Sequence, residues 1–117
     1  MIKGMTEGPD SEKLKILTDK NFKSTISTGV SLVDFWAPWC TPCKIQGPIV
    51  SEVAEEIGDE ANVCKLDVDQ NKRTASEFKI RSIPSIWIFK DGKPVKQFTG
   101  VKTKNVLLKA LKEQLDN

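Results

Sequence analysis

The chain has 117 residues, 38% of them apolar and 29% charged, with a net charge of +2. That length holds one domain with its own core, and the balance is that of an ordinary globule rather than a disordered chain. No basic run points to nucleic acid, no stretch reaches the roughly 18 apolar residues of a spanning helix, and the lack of histidine removes Ser-His-Asp triads, Cys-His pairs and histidine-bearing metal sites.

MIKGMTEGPDSEK has no apolar segment of the secretory kind. Residues 1–12 are expected to form a flexible leader, residues 13–117 the domain, and the protein is expected to work in the cytoplasm. Lys13 to Leu17 alternates as a short strand. Thr18 is a candidate N-cap for a short helix from Asp19 to Ser27, with Phe22 and Ile26 four apart on one face. Val30 to Trp36, VSLVDFW, is rich in β-branched and aromatic residues, the composition of a strand covered on both faces. A helix is expected from Cys43 to Ile57, with a kink at Pro48. A strand over Val63 to Val68, a helix over Asn71 to Phe78 and a strand over Ser85 to Lys90 follow. Asp91-Gly92 signals a hairpin into Pro94 to Phe98, and an amphipathic helix runs from Thr103 to Leu115. This order predicts an α/β fold, a central mixed sheet with helices on both faces and an antiparallel last hairpin.

Chemistry concentrates in WAPWCTPCK, residues 36–44. A zinc site commonly takes four ligands, and Cys40 and Cys43 have only Cys64 to join them. A passive staple would close a very short loop, where chain entropy gives least, and suits a secreted protein. A redox pair has three needs. Its first sulfur must be a thiolate, and Cys40 stands where a strand gives way to a helix N-terminus that favours negative charge. Pro42 suits the first helical turn, where its missing N–H costs nothing. The second sulfur must be within reach, and the i, i+3 spacing places Cys43 there. Lastly, a group must take the proton of Cys43. Asp34, interrupting a strand expected to be buried, is the candidate, since desolvation lifts a carboxyl toward neutrality. The plainer reading of Asp34 is a solvent-facing residue at a strand end.

VDFWAPWCTPCK, followed by KLDVDQN, RSIPSIWIFKDGK and FTGV, resembles the thioredoxin family from about Lys13 to the C-terminus. The resemblance implies a thioredoxin fold and a protein-disulfide reductase. In it Cys40 attacks a substrate disulfide and Cys43 resolves the mixed disulfide, leaving Cys40 and Cys43 joined. It further implies that Asp34 is the buried carboxylate, with Lys65 near it to set its charge, and that Pro84 is the cis-proline opposite the cysteines. Trp39, Pro42, Ile83, Pro84 and Gly100 correspond to the apolar rim that receives an extended substrate segment, held like an added strand. The implied partners are disulfide-containing proteins and a thioredoxin reductase that draws on NADPH through its flavin. The chain itself is expected to bind no cofactor and to act as a monomer. The alternatives are a disulfide isomerase or oxidase, or a non-catalytic binding subunit of a larger complex.

The chain departs from the family pattern at Thr41, where most members have glycine. Its hydroxyl is a possible donor to a thiolate and its β-branch restricts the local backbone, so a modest shift of redox potential within the reducing range is expected. Cys64, inside a central strand, reads as a small core hydrophobe, with a regulatory thiol as the other possibility. Trp87 is expected in the core, Trp36 as support beside the site, and Glu52, Glu55 and Glu56 on a solvated helix face.

Overall fold

A computed structural model describes residues 10–116. Five strands form one sheet in the order β1-β3-β2-β4-β5. They are β1 (Leu14–Ile16), β2 (Val30–Trp36), β3 (Asn62–Asp67), β4 (Ser85–Lys90) and β5 (Lys93–Thr99). β1 and β2 each run parallel to β3, whereas β4 is antiparallel to both β2 and β5. Four α-helices lie among the described residues: α1 (Phe22–Ile26), α2 (Thr41–Ile57), α3 (Lys72–Glu77) and α4 (Lys104–Leu115). This is the expected α/β mixed sheet. Of the leader expected over residues 1–12, residues 1–9 lie outside the described residues. Close to its end, Ser11 donates its N–H to Ser51 Oγ (2.7 Å) and its hydroxyl to Glu55 (2.8 Å), both on α2.

β2 is hydrogen-bonded on both edges and covered on both faces, which explains its unbroken apolar run. Val30 and Leu32 face a layer built by Val50, Val53 and Ile57 of α2 and Leu107, Leu108 and Leu111 of α4. Val33 and Phe35 face the other way, into a cluster with Phe22, Trp87 and Phe89. Several aromatic pairs there meet edge to face, among them Phe22 with Phe89 at 5.6 Å and Phe78 with Trp87 at 5.3 Å, an arrangement their quadrupoles favour. Trp87 is therefore core, as expected.

The helix starts differ from the sequence expectation. Asn21, not Thr18, holds the N-cap position of α1, and Thr18 closes the turn before it. Its N–H donates to Asn21 Oδ1, its Oγ1 accepts from the N–H groups of Lys20 and Asn21, and α1 begins only at Phe22 rather than Asp19. Asp19 serves α3 instead, accepting from the Thr74 N–H (2.8 Å) and hydroxyl (2.6 Å). α2 begins at Thr41, two residues before the expected Cys43, because Pro42 fits a first helical turn. It continues through Pro48 to Ile57 without a break. The acidic face of α2 is less idle than its composition implied: Lys104 reaches Glu52 (3.7 Å) and Glu56 (3.3 Å), tying α4 to α2.

Gln46 was not foreseen as a core residue, yet it is fully buried. Its Nε2 donates to the Lys102 carbonyl (3.1 Å) and its Oε1 accepts the Lys102 N–H (2.7 Å). One amide thus satisfies both backbone groups of a residue leading into α4. Gln46→Ala is expected to strand both groups and lower stability by about 2 to 4 kcal/mol, read as a lower urea midpoint with unchanged slope. An unchanged midpoint would mean that water or a shifted loop replaces the amide.

Candidate active site

The end of β2 and the start of α2 bring the two cysteines together. Cys40 is the N-cap residue of α2, in extended conformation, and its sulfur accepts the N–H of Cys43 at 3.2 Å. A sulfur thus sits where a capping oxygen usually does, at the positive end of a 17-residue helix. Cys40 and Cys43 are joined in a disulfide, and both are buried. Thr41 and Pro42 between them are exposed. Among the described residues no hydrogen bond joins the Thr41 hydroxyl to either sulfur of this oxidised form.

Of the other expected rim residues, Ile83 reaches the pair directly. Ile83 packs against the cluster of Ala37, Cys40 and Cys43, its carbonyl oxygen 3.7 Å from Cys40 Sγ. The Ile83–Pro84 peptide bond is cis and Pro84 is buried. Gly100, at φ +86, donates its N–H to the Pro84 carbonyl at 2.9 Å, a left-handed backbone that favours glycine at this junction. Trp39 is 68% exposed, a large apolar surface beside the disulfide. Its indole Nε1 donates to Asp69 Oδ2 at 2.8 Å. Nothing singled out Asp69 beforehand. Its only trace was its place in KLDVDQN, in the turn after β3 where Asp67 Oδ1 accepts the Asp69 N–H.

Asp34 is 1% exposed, and among the described residues its Oδ1 has no hydrogen-bond partner. The solvent-facing alternative is therefore excluded. Asp34 alternates with Leu32 and Trp36 along β2, on the face covered by α2 and α4. Across the ladder it stands opposite Ile86 of β4 and Lys65 of β3. Burial pushes its carboxyl up to about 7, against the opposing pull of the Lys65 charge. Lys65 lies near Asp34 as expected, but its ammonium is engaged elsewhere: 2.7 Å from Asp10 Oδ2 and 5.1 Å from the centroid of the Trp36 ring.

Cys64 is fully buried on β3, beside Val33, and desolvation pushes its thiol up to about 12. A thiol so rarely ionised is a poor nucleophile, which agrees with the core reading. Among the described residues no three side chains of the metal-binding types stand together.

Two sulfurs that exchange a bond for a pair of thiols are the working part of a thiol–disulfide oxidoreductase, and that is the class this site defines. The thioredoxin family model matches residues 13–113, and the chain belongs to the thioredoxin family. Thioredoxin of Staphylococcus saprophyticus is 46% identical over 99 residues, which cover 85% of this chain and 95% of that one. Thioredoxin of Staphylococcus haemolyticus is likewise 46% identical, with the same coverage. Among solved structures, the N21Q mutant thioredoxin of Halobacterium salinarum superposes with a TM-score of 0.81 at 30% identity, covering 92% of this chain and 96% of that one. Malassezia sympodialis thioredoxin gives 0.80 at 30% identity, covering 87% and 93%. Together with the Cys40–Cys43 pair, these relatives make the protein a disulfide reductase of the thioredoxin kind. Isomerase, oxidase and non-catalytic subunit are not favoured. No helix of the described residues is long and apolar enough to cross a membrane.

The raised Asp34 carboxyl fixes a pH dependence of stability. Below the ordinary value of 3.8 the carboxyl is neutral in folded and unfolded chains alike. As pH climbs toward about 7 only the unfolded chain ionises, so stability falls. Above that point the loss levels off at about 4 kcal/mol, from 1.36 kcal/mol per pKa unit. Asp34→Asn is expected to flatten this slope and to be more stable than wild type in alkaline solution, as read by urea unfolding across the pH range. Parallel profiles for the two proteins would contradict the assignment.

Proposed function

We propose that Cys40, as a thiolate, attacks one sulfur of a substrate disulfide and forms a mixed disulfide, expelling the other substrate sulfur as a thiolate. The Cys43 thiol then gives its proton to the Asp34 carboxylate and attacks Cys40 Sγ. The second substrate sulfur leaves, and the Cys40–Cys43 disulfide remains. Two electrons pass from the chain's dithiol to the substrate. The observation that carries this reading is the Cys43 N–H donated to Cys40 Sγ at the start of α2, a contact that holds negative charge on Cys40 rather than Cys43. Asp34 supports it as a buried carboxyl poised to exchange a proton near neutral pH, and Lys65 as the charge that keeps its proton from being held too tightly.

Trp39, Pro42, Ile83, Pro84 and Gly100 form the surface on which an extended substrate segment lies, Ile83 offering backbone groups as a strand edge would. The oxidised pair is renewed by a thioredoxin reductase with NADPH and flavin. A protein that donates electrons in this way works where the redox poise is reducing, so the cytoplasm is its proposed compartment. Thr41 tunes the potential of the couple without turning it into an oxidant.

Insulin-disulfide reduction is expected to be abolished by Cys40→Ser. Cys43→Ser is expected to accumulate a mixed disulfide through Cys40, identified by mass spectrometry. Trapping through Cys43 in the Cys40→Ser protein would reverse the assigned roles. Equilibration against glutathione is expected to place the couple far below the roughly −120 mV of strong oxidants, with only a small change in Thr41→Gly. A potential near that of the oxidants would remove Thr41 from its role.

A further inference from the structure

The charge that reaches Asp34 is itself held by a residue outside the family span. Lys65 and Asp34 are partners in the parallel register of β3 and β2 and project to the same face of the sheet. The Lys65 ammonium nevertheless bonds Asp10, at 2.7 Å, and lies over Trp36. Asp34 keeps an unpartnered oxygen. Asp10 precedes the matched residues 13–113 and so is an addition to the part of the chain that the family model describes. Its neighbour is anchored: the Ser11 N–H and hydroxyl are both bonded to α2. The pair is only partly exposed, 24% for the Lys65 side chain and 42% for Asp10, so water screens it incompletely.

We propose that Asp10 is a positioning residue of the active site, holding the Lys65 ammonium in an ion pair over Trp36 and away from direct pairing with Asp34.

Two effects act in one direction. The Asp10 carboxylate partly cancels the Lys65 field at Asp34, and it restrains the ammonium from reaching the free oxygen. Either effect favours the protonated form of Asp34, and loss of Asp10 favours the ionised form. The remaining surroundings leave little else to set this balance. β4 presents Ile86, and α4 adds buried leucines to the layer on that face while its Lys104 is paired with Glu52 and Glu56 of α2. The consequence for turnover rests on the proposed role of Asp34 as proton acceptor, whereas the electrostatic link does not.

The test is the carboxyl carbon-13 shift of Asp34 followed against pH in the oxidised chain of residues 1–117. Asp10→Asn is expected to lower the Asp34 midpoint by about 0.5 unit or more, the size of one incompletely screened charge, and Asp10→Glu to retain the wild-type midpoint. In a Lys65→Gln background the Asp10→Asn shift is expected to vanish. An unchanged midpoint in Asp10→Asn, or the same shift with Lys65→Gln, would overturn the proposal. The pH profile of insulin reduction separates the two claims. A moved midpoint with an unmoved profile would refute Asp34 as the acceptor and leave the Asp10 link standing.

Discussion

One carboxyl group is buried in the middle strand of the sheet, and much of the site depends on its being there. A lone carboxylate taken out of water is costly, and a protein usually avoids the cost by pairing it or leaving it protonated. Asp34 does neither fully: one oxygen has no partner, and the nearest cation is bonded to another acid. A carboxyl balanced in this way ionises near neutrality. It is a burden on folding, and on the proposed mechanism it is the reason the second cysteine can lose its proton.

The fold supplies what surrounds that carboxyl. β2 is buried on both faces because β3 and β4 flank it while helices cover it from both sides. The same strand leads through residues 37–39 to Cys40 at the start of α2, so the carboxyl and the sulfurs stand on two elements joined by a short connection. α2 adds the other half, turning the Cys43 N–H toward Cys40 Sγ. Gly100, reaching from beyond β5 to the Pro84 carbonyl, ties the facing loop to the end of the sheet. Sites built on such elements hold their geometry better than sites on free loops.

Much of this was legible in the sequence, for physical reasons. VSLVDFW has the composition of a strand buried on both faces, which made its single acid conspicuous. Cys40 and Cys43 stand at the join of a strand and a helix, where spacing and dipole both have meaning. Asp91-Gly92 marked the hairpin, and both residues adopt positive φ. What the sequence did not disclose depends on contacts distant along the chain. Gln46 looked like one polar residue in an amphipathic helix, and its role exists only because residue 102 returns beside it. Asp19 looked like a helix former, yet its carboxylate caps a helix more than fifty residues away. Asp69 and Asp10 are ordinary acids in loops until the fold brings Trp39 and Lys65 to them. Local patterns are written along the chain, and partners across it are not.

The central claim is that burial, opposed only in part by Lys65, holds the Asp34 carboxyl far above the ordinary carboxylate range. Its titration in the wild-type oxidised protein tests that claim most directly. A midpoint close to 7 is the result this account predicts. A midpoint below about 5, within the usual spread of exposed carboxylates, would contradict it.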